Sequence, residues 1–376
     1  MASGMDFDIG DEQEELRTSV RAVLERECPI RVVRELVEKG TVPEQPWRSA
    51  TELGWTAIAV PESFGGLGLG FVEIALVVEE HGRCLAPGPF LATVTQFAPA
   101  LREAGTDEQR GRFLEAVASG QLTGALAVSN EAGGCLPPDD SLRARRVGDA
   151  WELEGVRHHV IDGDVAEEVV VSARVGEGDG VALFVVPGRS LKSVRIASFD
   201  ASRPIAKLEF DGVRVGADRA LGEPGACASA LARALEEATV AVALETVGAC
   251  QTLFDHTLEY AKHREQFGHP IGSFQAIQHK FADMFAAIEK ARETGYFAAM
   301  AVAEDDPRRS LAASMAKVAA GDCQRQVAKE GIQIHGGIGF TWEHDVHLFV
   351  KRAKTGEALF GTSAVHRARI ADLLKV

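Results

Sequence analysis

"HREQFGHPIGSFQAIQHKFADM", residues 263–284, is the junction on which the reading of the C-terminal half turns. Ser273 reads as the N-cap of a helix beginning at FQAIQHKFADM, since a serine hydroxyl can satisfy an orphan N–H of a first helical turn. Just upstream, Gly268 and Pro270 punctuate the chain, so the preceding helix ends before them. Outward from this junction, residues 226–263, 274–304 and 308–334 are nearly free of helix breakers. Ala-rich runs such as MAKVAAGDCQRQVAKEG let helices of that length pack closely as a bundle.

Further toward the N-terminus the period changes. AWELEGVRHHV, EEVVVSARV, GVALFVVPG and AKLEFDGVRV are short, rich in β-branched residues and separated by Gly, Asp and Pro, which predicts antiparallel strands. Before them, DEQEELRTSVRAVLERE places Leu16, Val20, Val23 and Leu24 on one helical face. The glycines of AVPESFGGLGLG mark a loop between the early helices. The expectation is an α+β chain in three parts: a helical domain over 1–120, an antiparallel β domain over 121–222 and a helical bundle over 223–376.

The 376 residues are 46% apolar and 25% charged, and no membrane-spanning helix is expected. The N-terminal residues lack the basic end, apolar core and cleavage site of an export signal, so the expected location is the cytoplasm. Six cysteines lie far apart without a CxxC and read as buried thiols, giving no expectation of a metal site. A formal charge of −15 argues against non-specific nucleic-acid binding and leaves room only for a local basic patch.

Two short stretches carry chemistry. Arg264, Gln266, Phe267 and Gly268 offer a cation, an amide and an aromatic face, which suits a phosphate and a planar base; a plain helix-to-helix turn uses the same residues. In QIHGGIGF, residues 333–340, Gly336 serves as a terminator of the preceding helix. Gly336, Gly337 and Gly339 together let a ligand touch main chain with no Cβ in the way.

With KRAKTGEALFGTSAVHRARIADLL at the C-terminus and LGWTAIAVPESFGGLGLG in the N-terminal half, these stretches resemble the acyl-CoA dehydrogenase family from about Met5 to the end. The patterns R-x-x-F-G-x-P-I-x-x-F-Q, Q-x-H-G-G-x-G and a terminal G-T-S appear in order. The resemblance implies an oligomer with FAD lying across a subunit interface. Arg264, Phe267 and Gln275 are then expected along the adenosine diphosphate half of a neighbour's FAD, joined by Gln333, Gly336, Gly337 and Thr362. The implied reaction is α,β-desaturation of an acyl-CoA thioester, in which a carboxylate takes the α proton and the β hydrogen leaves as hydride to the flavin.

The resemblance offers two positions for that carboxylate. The residue before the C-terminal G-T is Phe360, and the residue twenty-six before Arg264 is Ala238. Neither accepts a proton. Glu236 and Glu237 adjoin the second position, but one residue along a helix is a turn of about 100°, so Glu237 is a weak candidate unless the helix bulges. Glu343 reads better as part of a helix start.

The loop expected to meet the flavin ring also departs from the family pattern. In SNEAGGCL, Ser129 and Gly134 are kept, while Cys135 and Leu136 replace a serine and an aspartate; further on, His159 and Ile161 stand where an aromatic and a threonine are expected. Elements serving a neighbour's FAD are thus intact and those serving this chain's own flavin ring are altered.

The resemblance therefore implies a base-lacking subunit that completes the FAD site of a homologous catalytic subunit in an α2β2 enzyme of lipid or steroid catabolism. It also implies an electron-transfer flavoprotein as acceptor. The competing expectation is a self-sufficient FAD enzyme using a displaced base such as Glu237. The acyl group leaves no readable mark.

Overall fold

A computed structural model describes residues 9–135, 139–176, 178 and 180–376. In chain order the helices are α1 Asp11–Glu27, α2 Ile30–Lys39, α3 Gln45–Glu52 and α4 Phe71–Cys84. A continuous helical run follows as α5 Phe90–Ala92, a π turn Thr93–Phe97 and α6 Ala98–Ala104, and then α7 Asp107–Ala118. The strands are β1 Gly124–Ala127, β2 Leu142–Val147, β3 Ala150–Ile161, β4 Glu168–Val175, β5 Gly180–Pro187, β6 Lys192–Arg195, β7 Ile205–Gly216 and β8 Ala220–Gly225. After α8 Ala228–His263 come the two-residue strands β9 Glu265–Gln266 and β10 His269–Pro270. The chain finishes with α9 Gln275–Ala303, α10 Arg309–His335, α11 Val346–Ala358 and α12 Ser363–Leu374.

The chain folds into two compact units. In the bundle unit the chain up to Thr41 joins Ala75–Ala86 and Thr239–Val376; in the sheet unit Val42–Ile74 joins Pro87–Ala238.

The sheet has strand order β6-β7-β3-β2-β4-β5-β8, with β1 added on β4. Five of its strand pairings are antiparallel, as expected, but β1 and β2 both run parallel to β4, so the sheet is mixed. Those parallel pairings close long loops, which alternation within one strand does not reveal. Both faces of β4 and β5 are covered, and accordingly VVV and ALFVV are unbroken apolar runs. Leu153, Val169, Val171, Phe184, Val186, Leu208 and Phe210 form the core, with Trp151 packed against it. The edge strand β6 is short, exposed and charged, which blunts pairing with other chains.

In the bundle unit, α8 is apolar through AVALETVGA except at Glu245 and Thr246, and the whole run is buried. It crosses the second half of α4 at two glycines: a Cβ on Gly82 would lie 2.0 Å from the Glu245 carbonyl oxygen, and one on Gly248 would lie 2.0 Å from that of Glu79. Only glycine permits that approach. The buried carboxylates of Glu79 and Glu80 are paired, as burial requires. Glu79 accepts from Tyr296 Oη at 2.6 Å and from Arg292 Nε at 2.8 Å. Arg21 grips Glu80 through two nitrogens, at 2.9 and 2.7 Å.

Cys28, Cys227, Cys250 and Cys323 are buried free thiols, whereas Cys84 and Cys135 are only half-buried. No helix among the described residues is long and apolar enough to cross a membrane. Among the same residues no group of three His, Cys, Asp or Glu is placed to hold a metal ion.

Candidate functional site

The junction after α8 is a β-hairpin rather than a bare turn between helices. Gln266 pairs with His269 across a two-residue loop, Phe267–Gly268, and both loop residues have positive φ, 56° and 81°. That is the geometry of a type I′ turn, which favours Asn or Gly at its first central position. A phenylalanine there carries backbone strain of roughly 1–2 kcal/mol. Burial does not offset it, because Phe267 is 91% exposed; its ring stands edge-on to Phe274 at a centroid distance of 6.3 Å. The strained, solvent-facing aromatic stands beside an exposed Arg264.

Ser273 is not the N-cap of α9. Its hydroxyl donates instead to the Pro270 carbonyl at 2.7 Å, bracing the hairpin. Phe274 takes the cap position without a side-chain hydrogen bond, and an exposed Gln275 opens the helix. The Ile277 and Gln278 N–H groups reach back to the Phe274 carbonyl at 2.9 and 3.1 Å, while the Gln275 side chain lies at the exposed start of the helix.

The second stretch is brought to the first by one stacked pair. Tyr260, four residues before Arg264, lies against His335 at 4.5 Å between ring centroids and an interplanar angle of 22°. The His335 Nδ1 is 2.8 Å from the Gly331 carbonyl, and His344 closes edge-on at 4.7 Å. The end of α10 is thus pinned to the end of α8.

Gly336 then turns with φ 65° and ψ −141°, a region closed to other residues. A Cβ built on Gly336 or Gly337 meets no atom within 4 Å, so both present bare main chain to open space. Gly339 serves packing instead: it is buried, and a Cβ there would sit 3.0 Å from that of His335. Gln333 lies exposed on the last turn of α10. Guanidinium, amides and unobstructed backbone make a donor set that fits an anionic diphosphate.

The C-terminal loop belongs to the same unit. Phe360 has φ 55°, and its conformation is held from several sides. Lys317, 1% exposed, donates to the carbonyls of Gly356 and Leu359 and so caps the end of α11. The Glu357 carboxylate accepts from the Ser363 N–H at 3.2 Å. His366 Nε2 is 3.0 Å from the Phe360 carbonyl and Nδ1 is 3.3 Å from Ser314 Oγ, which assigns the proton to Nε2. Desolvation pushes the His366 pKa down to about 4, so the ring is neutral. Thr362 Oγ1 is committed as the N-cap of α12, accepting from the Val365 N–H at 3.5 Å. A rigid support therefore presents a phenyl ring at position 360. Lys317, Glu357 and His366 carry no local signal in sequence; their spacing becomes meaningful only once α10, α11 and α12 are packed.

In the sheet unit, α8 runs through Ala238 as unbroken α-helix, without the bulge that would swing Glu237 into register. Ala238 is buried, and the Glu237 carboxylate is gripped by Arg102 of α6. Arg233 and Glu103 pair at 2.6 Å alongside, completing a ladder between the two helices. Glu343, in the bundle unit, stands in solvent; a backbone hydrogen bond and the Thr341 hydroxyl hold its carboxyl below the usual range. Asp345, not Glu343, occupies the cap position of α11 and pairs with Arg34.

The loop after β1 closes on itself. Ser129 Oγ is 3.2 Å from Cys135 Sγ, and the Asn130 side chain takes the Gly134 N–H at 2.8 Å. Arg157, wholly buried, donates to the Ser172 carbonyl at 2.8 and 3.0 Å and to Ser141 Oγ at 2.8 Å, anchoring the far end of the loop. Leu136 lies outside the described residues. His159 sits at a bulge of β3 with φ 55°, and its Nδ1 is buried with no partner among the described residues. Ile161 is buried in its pairing with Ile205 and offers no donor.

Residues 10–121 match the model of the acyl-CoA dehydrogenase N-terminal domain, and residues 228–375 that of the acyl-CoA dehydrogenase C-terminal domain. The probable acyl-CoA dehydrogenase YngJ of Bacillus subtilis is 32% identical, over 99% of this chain and 100% of its own. The 3-sulfinopropanoyl-CoA desulfinase of Paraburkholderia xenovorans is 31% identical, over 98% and 97%. A chain of the ChsE4-ChsE5 complex from Mycobacterium tuberculosis superposes with a TM-score of 0.90 at 29% identity, covering 99% of each chain.

Proposed function

This chain belongs to the acyl-CoA dehydrogenase family, and we propose that within it the chain is the base-lacking subunit of a heteromeric α2β2 enzyme that desaturates an acyl-CoA thioester. The family is one of oxidoreductases acting on CH–CH bonds, and its cofactor is FAD. One relative bears the name of a desulfinase, so the site and not the membership has to carry the finer reading.

The observation that carries it is the contrast at the proton-accepting positions. Phe360 is locked by Lys317 and His366, Ala238 has no bulge beside it, and Glu237 is tied to Arg102. A carboxylate held by a guanidinium is not free to reach a substrate carbon. FAD, when bound, supplies the hydride acceptor. Toward it, Arg264 would pair a phosphate and Gln275 and Gln333 would donate from their amides. Gly336 and Gly337 would admit the diphosphate to main chain, and Phe267 would lie against the adenine. Ser129 Oγ lies against Cys135 Sγ and the Ile161 side chain offers nothing polar, so the ring half of this chain's own site would lack a donor at position 161. A homologous subunit would supply the ring half and the base. That one structural neighbour is a complex of two named components supports such an arrangement. An electron-transfer flavoprotein would take the electrons.

Co-expression with the homologous subunit tests this. The purified complex is expected to be yellow, and Arg264→Gln in this chain to strip the flavin from it. Flavin retained undiminished in that variant would overturn the shared site.

A further inference from the structure

The loop that follows the glycine turn carries three large apolar side chains in the open. Ile338, Phe340 and Trp342 are 43%, 77% and 62% exposed, within five residues of chain. Single exposed apolar residues are ordinary, but these three together bare on the order of 400 Å², as much as the largest patch on a typical monomer.

The segment is also held in place. Gly336–Phe340 forms a 3₁₀ turn, and it is closed by the Thr341 N–H and hydroxyl, which both donate to the Ile338 carbonyl, at 3.1 and 3.0 Å. Arg34 Nη1 donates to the Trp342 carbonyl at 2.8 Å while Arg34 Nε donates to Asp345 at the start of α11. Lys351 of α11 places its ammonium 4.2 Å from the indole centroid, and His347 stands edge-on to the ring at 4.7 Å. An indole fixed in this way yet mostly bare loses little freedom on being covered, which is what an interface anchor requires.

Its position along the chain decides what covers it. A 3₁₀ turn rises about 2 Å per residue, so Phe340 lies roughly 6 Å from Gly337 and Trp342 no more than roughly 13 Å from it. A stable interface covers about 800 Å² on each partner, a disc roughly 16 Å in radius. A chain that brings a dinucleotide to the bare main chain of Gly336 and Gly337 therefore meets Phe340 and Trp342 as well.

We propose that Ile338, Phe340 and Trp342 are the apolar anchor by which this chain docks the homologous flavin-bearing subunit, beside the diphosphate it helps to hold. The inference rests on the shared-site reading above and adds to it the surface that makes the contact.

Hydroxyl-radical footprinting of the wild-type chain, alone and in the co-expressed complex, tests this without any substitution. Oxidation of Phe340 and Trp342 is expected to fall about fivefold or more in the complex, because interface anchors are shielded from water. The chain carrying both Phe340→Ser and Trp342→Ser is expected to melt within about 2 °C of the wild type, since both side chains are exposed. It is expected to bind the homologous subunit about 100-fold more weakly, read by biolayer interferometry. Equal oxidation of both residues in the lone chain and the complex overturns the proposal, and so does undiminished affinity in the double variant; where that variant does not fold, the wild-type footprint decides alone. Protection that appears in the lone chain as its concentration rises, with a dimer that the double variant loses, assigns the surface to a second copy of this chain and overturns the choice of partner. If the two subunits form no complex at all, the α2β2 reading itself falls and this assignment falls with it.

Discussion

At the ends of α8 and α10 the bundle unit leaves two glycines facing open space and an aromatic ring held out at 91% exposure on strained backbone. After β1 the sheet unit does the opposite: Ser129, Asn130, Gly134 and Cys135 bond to one another, and Ile161 is sunk in a strand pairing. The first surface is costly unless something covers it. The second is already self-sufficient. On the proposed reading, the first would be the half of a cofactor site offered to another subunit, and the second the half that this chain has filled.

The largest effect expected from this contrast is in acid. Desolvation holds His81, bonded to the Val77 carbonyl, and His366 near pKa 4, below the ordinary value of 6.5, and both lie in the bundle unit. A histidine whose folded pKa is depressed binds fewer protons folded than unfolded. Its contribution is complete above pH about 6.5 and is lost as pH falls toward 4, up to about 3 kcal/mol for each ring. In the sheet unit, burial alone would raise the Asp139 pKa, but hydrogen bonds from Ser141 and Asn130 outweigh it and bring it to about 2, so that carboxylate keeps its contribution until far lower pH. Hydrogen exchange followed by mass spectrometry is expected to show the bundle unit losing protection first between pH 6.5 and 4. Simultaneous loss in both units would remove this distinction between them.

Next in size is Arg264→Gln. Losing a charge-assisted contact to a phosphate is expected to weaken FAD retention in the complex about 10- to 100-fold, read by flavin fluorescence on dilution. The same substitution should leave the melting temperature of the chain alone within about 2 °C, since the side chain is exposed.

The glycine turn allows a finer cut. Gly336→Ala is expected to cost about 1–3 kcal/mol in stability because of its backbone angles. Gly337→Ala has neither positive φ nor a clash and is expected to leave stability within about 0.5 kcal/mol. A fall in FAD affinity in Gly337→Ala would then report close approach of a ligand to that backbone; unchanged affinity would restrict the turn to a helix terminator.

The smallest expected effect is at the hairpin. Phe267→Asn relieves a left-handed aromatic and should raise stability by about 0.5–1 kcal/mol in denaturant unfolding. It should lower FAD retention if the exposed ring serves the neighbour. Loss of stability would mean that the phenylalanine packs more firmly than its exposure indicates.

What could be read from sequence divides along physical lines. The long helices were legible because 226–263, 274–304 and 308–334 lack breakers, and α8, α9 and α10 follow those limits within two residues. Local rules failed where a side chain had a choice of partner: Ser273 braces Pro270 instead of capping α9. They also failed where contacts are distant in sequence. The parallel pairing of β1 and β2 with β4, the crossing of Gly82 and Gly248, the stack of Tyr260 on His335 and the buried Lys317 beneath position 360 all join segments with no shared periodicity. Resemblance supplied Arg264 and the glycine turn as site residues, but only the packed helices show why those two stretches lie together.

The most direct test of the central claim is an anaerobic titration of the chain purified alone, supplied with FAD and an acyl-CoA, with flavin absorbance followed in the visible. The account predicts that absorbance is not bleached until the homologous subunit is added. Bleaching by the lone chain, abolished in Glu237→Gln, would contradict it.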